Sequence, residues 1–333
     1  MSTEQKRKKH TFSADPRIIS ASRRTDIPAF YSDWFMRRIE REVVAVPNPN
    51  NAHQVSWWSL APASVKAFVF WTKDARPMFP HLDQLDSLGH NYYFQYTLNE
   101  YPRWLEPRTP HGDEALEAFR NLSRRLGPHR VVWRYDPIFF TADTDAAWHA
   151  RNHRRIAEAL DGYTEKCVIS FLDVFRKTAG NLGSACESQG LGGFEGAVDS
   201  FTPEMRAFGD EIGENAESHG MRVATCAEAA DVVSQLGPHV NQGKCIDPLL
   251  LARLEVTALE KKDTGQREAC DCIASREIGM YDSCLHGCAY CYATASTDRA
   301  HRNARDKHFP ESATLLGWTS DDECPPPQMV LTE

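Results

Sequence analysis

The sequence predicts an α/β fold, a TIM-like or partial (β/α) barrel of mainly parallel strands. Three observations predict it. Short apolar runs alternate along the chain with segments of helical spacing, the pattern of repeated strand–helix units. Most of these runs are continuous, as expected of strands covered on both faces. Their ends are unusually polar, and in a parallel barrel chemistry collects at the C-terminal strand ends. The composition permits such a core: 41% of the 333 residues are apolar and 25% charged, which excludes wholesale disorder.

Residues 1–15 read as a disordered basic tail. Lys6, Arg7, Lys8 and Lys9 are followed by no apolar stretch, so this is not a secretory signal. Strands are expected at Arg17–Ser22, Val43–Val46, Ala67–Thr72, Tyr92–Leu98, Arg130–Tyr135, Lys166–Leu172, Arg222–Cys226 and Glu277–Tyr281. Between them, Ala115, Phe119, Leu122 and Leu126 recur at helical spacing, and Gly127-Pro128 stops that helix. Thr202 and Pro203 suit an N-cap and first helical position; Met205, Phe208, Ile212 and Ala216 form the apolar stripe, and Gly220 the C-terminal cap. Gly180–Gly196, rich in Gly and Ser, reads as a long loop. Residues 16–306 then form a single domain, and 307–333, with Pro325-Pro326-Pro327, a loosely ordered tail.

Lys and Arg number 38 against 46 Asp and Glu, a net charge of −8, so composition supplies no general basic surface for nucleic acid. No run approaches the ~20 apolar residues that span a bilayer. The expectation is a soluble, cytoplasmic protein.

The polar strand ends bring charged residues into one region. Arg24, Asp26, Lys73, Arg134, Asp136 and Glu228 are the candidate catalytic residues. Strand alternation puts Arg134 and Asp136 on one side, as it does Arg24 with Asp26 and Cys226 with Glu228. Such residues are also ordinary strand-end salt bridges and caps. Six ends together favour a polar cavity, where arginines beside carboxylates would hold an anionic or zwitterionic small molecule. The Trp57-Trp58 pair reads as core rather than as a stacking platform.

Ten cysteines are the compositional outlier, and Cys270, Cys272, Cys284, Cys288 and Cys291 crowd into 22 residues. Crowding of that kind in a long chain points to metal or redox chemistry. Cys284-Leu285-His286-Gly287-Cys288-Ala289-Tyr290-Cys291 has the spacing C-x3-C-x2-C. Three thiolates on one tight loop can hold three irons of a [4Fe–4S] cluster and leave the fourth open. A structural zinc site needs a fourth ligand, which His286 would have to supply. Cys226, Cys245, Cys270 and Cys272 are candidates for an auxiliary cluster; the plain alternative is that Cys226 and Cys245 are buried core cysteines.

Within the C-terminal iron–sulfur motif, residues 270–292, the segment Cys284–Cys291 resembles the cluster-binding loop of the radical S-adenosylmethionine (radical SAM) enzymes. The resemblance implies that Cys284, Cys288 and Cys291 ligate the cluster and that Tyr290 lies beside the cofactor's adenine. It also implies reductive cleavage of the cofactor to a radical that abstracts hydrogen from a substrate, with a reductase or ferredoxin-type electron donor. In most of that superfamily the motif follows the first barrel strand. Here it is near the C-terminus, so the barrel is expected to be circularly permuted, with the strand before Cys284 next to Arg17–Ser22. The family's glycine-rich segment has no clear counterpart, since Gly192-Gly193-Phe194-Glu195 falls in the expected loop.

A second resemblance covers nearly the whole chain. Ala21–Phe30, Phe70–Lys73, Trp133–Ile138, Cys226–Glu228, Lys244–Asp247 and the cysteine block are similar to a group of prokaryotic proteins, domain-of-unknown-function family 1848. That family is linked to radical SAM proteins by its terminal cysteines and implies no particular reaction. Two other functions stay open: an iron–sulfur electron-transfer protein, and a DNA-repair lyase of the spore photoproduct type. Three ligands argue against the first, because electron-transfer clusters usually have four. The acidic chain argues against the second, although Arg151, Arg154 and Arg155 could touch phosphates.

Overall fold

The computed structural model describes residues 9–15, 17–194, 203–257 and 261–325. In chain order its strands are β1 (Lys9–Ser13), β2 (Arg17–Ala21), β3 (Val43–Asn48), β4 (Asn51–Ser59), β5 (Val65–Thr72), β6 (Tyr92–Thr97), β7 (Val131–Ile138), β8 (Lys166–Phe171), β9 (Arg222–Cys226), β10 (Val240–Gly243) and β11 (Ser275–Glu277). Eight of them form one parallel sheet in the order β10-β9-β8-β7-β6-β5-β2-β11. The remaining three form a small sheet in which β4 lies between parallel β1 and antiparallel β3. Helices flank the large sheet, and no helix of the described residues is long and apolar enough to cross a membrane.

Alternation along the strands separates two cores. Ile19, Phe68, Phe70, Tyr92, Phe94, Trp133, Ile169 and Val223 point outward into a large apolar layer under the helices. Helix Gly112–Leu126 contributes Ala115, Phe119, Leu122 and Leu126 to that layer, the stripe read from the sequence, and Gly127 ends it at φ 91°. Phe208, Ile212 and Ala216 do the same for helix Pro203–Ser218; Thr202 lies outside the described residues, as does the side chain of Met205.

The opposite face carries Ile18, Ala67, Val69, Tyr93, Val132 and Val168, which pack with Cys245, Ile246, Leu250, Leu251, Cys270, Cys272 and Ile273. Two residues further along the same strands, that face turns polar. Ser20, Trp71, Gln95, Arg134, Ser170 and Cys226 stand there, so an apolar floor supports a polar layer at the C-terminal strand ends. The sheet curves strongly. Tyr93 and Gln95 of the mid-sheet strand β6 donate to Cys245 O, just past the edge strand β10, at 2.8 and 2.7 Å. No ladder joins β10 to β11 among the described residues, but Ile273 N donates to Ile246 O at 3.4 Å.

The last strand lies beside the first: Ser275, Arg276 and Glu277 pair with Ile18, Ile19 and Ser20. The strand expected at Glu277–Tyr281 is instead the shorter Ser275–Glu277, which overlaps the expectation only at Glu277. Its position puts the cysteine loop next to the segment that follows β2.

Three sequence expectations need correction. Lys9–Ser13, placed in a disordered tail, is strand β1 in parallel register with Gln54–Trp58; the rest of the basic run lies outside the described residues. Gly180–Gly196, expected as a loop, begins inside helix Arg176–Ser188, whose Thr178, Leu182 and Cys186 are buried at four-residue intervals while a Cβ on Gly180 or Gly183 would meet open space. Glu195 and Gly196 are not described. The segment after Lys307 is tied down rather than loose. Ser312 O accepts from Trp34 Nε1 and Ala313 O from Ala45 N, both at 2.9 Å, and Ala313 and Leu315 are buried. Pro326 and Pro327 are outside the described residues. Trp57 is core, as expected, and Trp58 lies under Arg17 and Arg276.

Candidate functional site

A cavity of about 370 Å³ opens on the polar layer. It is lined by residues from the ends of β2, β5, β6, β7, β8 and β9 and by both groups of cysteines. Five of the six expected catalytic residues line it: Arg24, Asp26, Lys73, Arg134 and Asp136. Glu228 does not. Ala227, at φ 58°, ends the alternation that would have set Glu228 beside Cys226, and the carboxylate turns to accept from Phe171 N at 2.9 Å. Burial, with Asp136 adding to it, pushes Glu228 up to about 7.

Asp26 is a positioning residue. Its Oδ1 accepts from Ala29 N at 3.0 Å, capping the helix Ile27–Phe30, and its Oδ2 accepts from Lys73 N at 2.7 Å. His286 Nε2 reaches the same Oδ2 at 2.8 Å, while its Nδ1 faces Arg108 O at 3.4 Å. Both ring nitrogens of His286 are thus engaged away from the thiols. The expected partnership of Arg24 with Asp26 is absent, because β2 ends at Ala21 and Arg24 instead lies over the Tyr281 ring at 4.8 Å.

The cysteine loop follows β11. Gly287 turns it at φ 74°, where a Cβ would stand 2.7 Å from Arg108 Nη1 and 3.1 Å from Thr297 Oγ1. Cys284, Cys288 and Cys291 all face the cavity. Burial pushes the Cys284 thiol up to about 12 and raises Cys288 well above the ordinary thiol value. Both shifts favour the neutral thiol, so forming thiolates at Cys284 and Cys288 calls for a cation to bind them.

Tyr290 is buried among Tyr101 and Phe139 in a cluster that helix Arg176–Ser188 covers through Leu182 and Cys186. Its hydroxyl donates to Glu106 Oε1, which also receives Lys73 Nζ at 2.8 Å. Asn99 Nδ2 donates to Tyr290 Oη at 3.3 Å. Burial opposes both charges of the Lys73–Glu106 pair. Their attraction prevails, so Lys73 is held above its ordinary value and Glu106 below its own. Glu106 escaped the sequence reading because it lies in the irregular segment after β6. Its partner Lys73 is 33 residues away, at the end of β5.

Arg134 and Asp136 pair as expected, Nε to Oδ1 at 3.0 Å and Nη2 to Oδ2, in a bidentate fork. Ser170 Oγ adds a bond to Asp136 Oδ2 at 3.2 Å. Arg134 Nη1 donates to Gln95 Oε1 at 3.3 Å and to Cys245 Sγ at 2.9 Å.

The second group of cysteines lies where the two sheet edges approach. Gly243 pairs with Cys226, so Cys245 follows just beyond it, and Cys245 Sγ donates to Cys226 Sγ at 2.9 Å. Cys272 Sγ accepts from Cys245 N and Ile246 N at 3.2 and 3.4 Å. Cys270 lies two residues before Cys272, and all four cysteines line the cavity with no disulfide among them.

These features define a class: a parallel α/β protein with one cavity at its strand ends, lined by buried ion pairs and two sets of cysteines. Residues 18–293 match the family model described as Domain of unknown function (DUF1848), and the chain belongs to that family. Comparison with curated proteins and with solved structures gave no match.

Proposed function

We propose that the protein is a radical SAM enzyme acting on a small anionic molecule. The observation that carries the proposal is the shared cavity, in which Cys284, Cys288 and Cys291 face Lys73, Arg24, Arg134, Asp136 and Tyr290. Three thiols on a glycine-turned loop suit a [4Fe–4S] cluster with one open iron, and His286, engaged with Asp26, is not aimed to complete a zinc site. When bound, the cluster and S-adenosylmethionine would supply a 5′-deoxyadenosyl radical able to take hydrogen from a substrate.

The chain's own residues would bind, orient and screen. Tyr290, anchored through its hydroxyl, offers a fixed ring to an adenine. Lys73 and Glu106 hold that tyrosine in place and bring a paired charge to the cavity wall. Arg24 has no ion pair among the described residues, which leaves its guanidinium for a carboxylate or phosphate of the substrate. The electron would come from a reductase or ferredoxin-type donor, in a reducing, cytoplasmic setting.

We read the curved sheet as a TIM-like barrel whose edge strands β10 and β11 meet. The Ile273–Ile246 bond and the reach of β6 side chains to Cys245 support this reading. In that barrel the cysteine loop follows the last strand yet neighbours the first, a circularly permuted arrangement.

The test is anaerobic incubation of the reconstituted protein with dithionite and S-adenosylmethionine, followed by assay for 5′-deoxyadenosine. Wild type should form it slowly without substrate, and Cys288→Ala should not. Equal product from Cys288→Ala, or none from a cluster-loaded wild type, would overturn the proposal.

A further inference from the structure

We infer that Cys226, Cys245, Cys270 and Cys272 hold a second [4Fe–4S] cluster in the wall of the same cavity. The inference stands on the geometry of these four residues and does not require the loop cysteines to bind anything.

They arrive from three separate pieces of chain: the end of β9, the turn after β10, and the segment leading into β11. Convergence of four thiols from such distant origins is more than burial alone asks for. A single cysteine fills a core gap well, but four lining one cavity gain little from packing that alanine or valine would not supply. The strands are shaped to allow the approach. Gly243 pairs with Cys226, and a Cβ at Gly243 would stand 2.6 Å from both Ala224 Cβ and Thr225 O. Cys270 and Cys272 are separated by one residue, and both line the cavity.

The surroundings suit a centre of net negative charge. Arg134 Nη1 donates to Cys245 Sγ at 2.9 Å. Arg23 lines the same cavity, and its buried Nη2 has no hydrogen-bond partner among the described residues. The two guanidiniums lie over the same Trp71 ring, at 4.9 and 5.0 Å from its centroid. Cys272 Sγ also accepts two backbone N–H groups, the kind of bond that tunes a cluster's potential. Thiolates bound to a metal centre would satisfy these donors far better than neutral thiols.

A cluster fits better than zinc because of the space. A structural zinc ion is enclosed by its four ligands. Here all four cysteines instead line the open cavity that they share with the loop cysteines, so a centre held by them borders that space rather than being closed off from it. With four protein ligands this centre would have no open iron, unlike the loop site, and would exchange electrons without binding substrate itself.

The decisive protein is the full chain carrying Cys284→Ala, Cys288→Ala and Cys291→Ala, reconstituted anaerobically with ferrous iron and sulfide. It should retain about four irons and four sulfides per chain and give a cluster spectrum that bleaches with dithionite. A folded variant that binds no iron, or one zinc in its place, overturns the inference. If the triple variant fails to fold, iron is counted in wild type and in Cys226→Ser/Cys272→Ser. A fall from about eight irons to about four supports the second cluster, and about four in both overturns it. The two proposals fail separately. Loss of this one leaves 5′-deoxyadenosine formation with about four irons, whereas loss of the enzyme reading leaves the triple variant's iron intact.

Discussion

Replacing Glu106 with Gln isolates one buried charge and gives a calculable result. Glu106 is 2% exposed, the Lys73 side chain 14%, and the two meet at 2.8 Å. Each is shifted toward its charged form, Lys73 upward and Glu106 downward. Glu106 therefore contributes stability above its unfolded value near ~4.3 and loses it as pH falls through the lower folded value. Lys73 contributes below ~10.4 and loses it as pH rises through the higher folded value. Between those limits the pair stabilises the fold. Gln keeps an acceptor for Tyr290 Oη but leaves Lys73 unpaired, and breaking a buried pair this way costs about 3–5 kcal/mol. The loss has a ceiling, because the lysine can shed its proton. At pH 7 that takes about 3.4 pH units at ~1.36 kcal/mol each, or roughly 4.6 kcal/mol. At pH 9 the ceiling falls to roughly 1.9 kcal/mol. Urea unfolding of metal-free wild type and Glu106→Gln should thus show a gap of about 3–4.6 kcal/mol at pH 7, narrowing below ~2 at pH 9. Lys73→Met/Glu106→Gln should recover most of it. A gap under ~1 kcal/mol at pH 7, or one that does not narrow, would refute the reasoning.

Two further substitutions test the loop and the displaced carboxylate. Gly287→Ala forces an alanine to φ 74° against Arg108, and should cost about 1–2 kcal/mol and more than halve the iron bound at the loop; unchanged iron content would show that the turn tolerates a side chain. Glu228, raised to about 7 from 4.5, keeps its proton in the native state where the unfolded chain has lost it. Stability should therefore fall by roughly 3 kcal/mol as pH rises from 4.5 through 7. Glu228→Gln should flatten that stretch of the profile in denaturant titrations between pH 5 and 8, and parallel profiles for the two proteins would count against the assignment.

The buried strands were legible because sheet faces covered on both sides demand continuous apolar runs, as Phe68–Phe70 and Val131–Trp133 provide. Edge strand β10 offered no such signal: Val-Asn-Gln-Gly has two exposed residues and is held by its neighbour's backbone. Helix Arg176–Ser188 was obscured by glycines on its open face, although Thr178, Leu182 and Cys186 already carried the helical interval. In the site, Arg134 with Asp136 could be paired from alternation alone, because β7 runs through both. Asp26 and Glu228 could not, since each lies past a strand's end, where a local turn rather than the pleat sets direction. Glu106 and Arg23 take their roles from contacts far away in sequence, which no window of residues contains.

The pairing of β2 with β11 orders events during synthesis. Ser20 Oγ bonds Glu277 Oε2 across 257 residues of chain. At ~5–20 residues per second, the outer edge of β2 waits roughly 13–50 s on the ribosome for its neighbour. Throughout that interval the nascent sheet carries an open edge able to pair with other chains, which makes it a target for chaperones. The thiols at 284, 288 and 291 are translated later still. A product terminated before residue 275 would lack both the edge strand β11 and the cysteine loop.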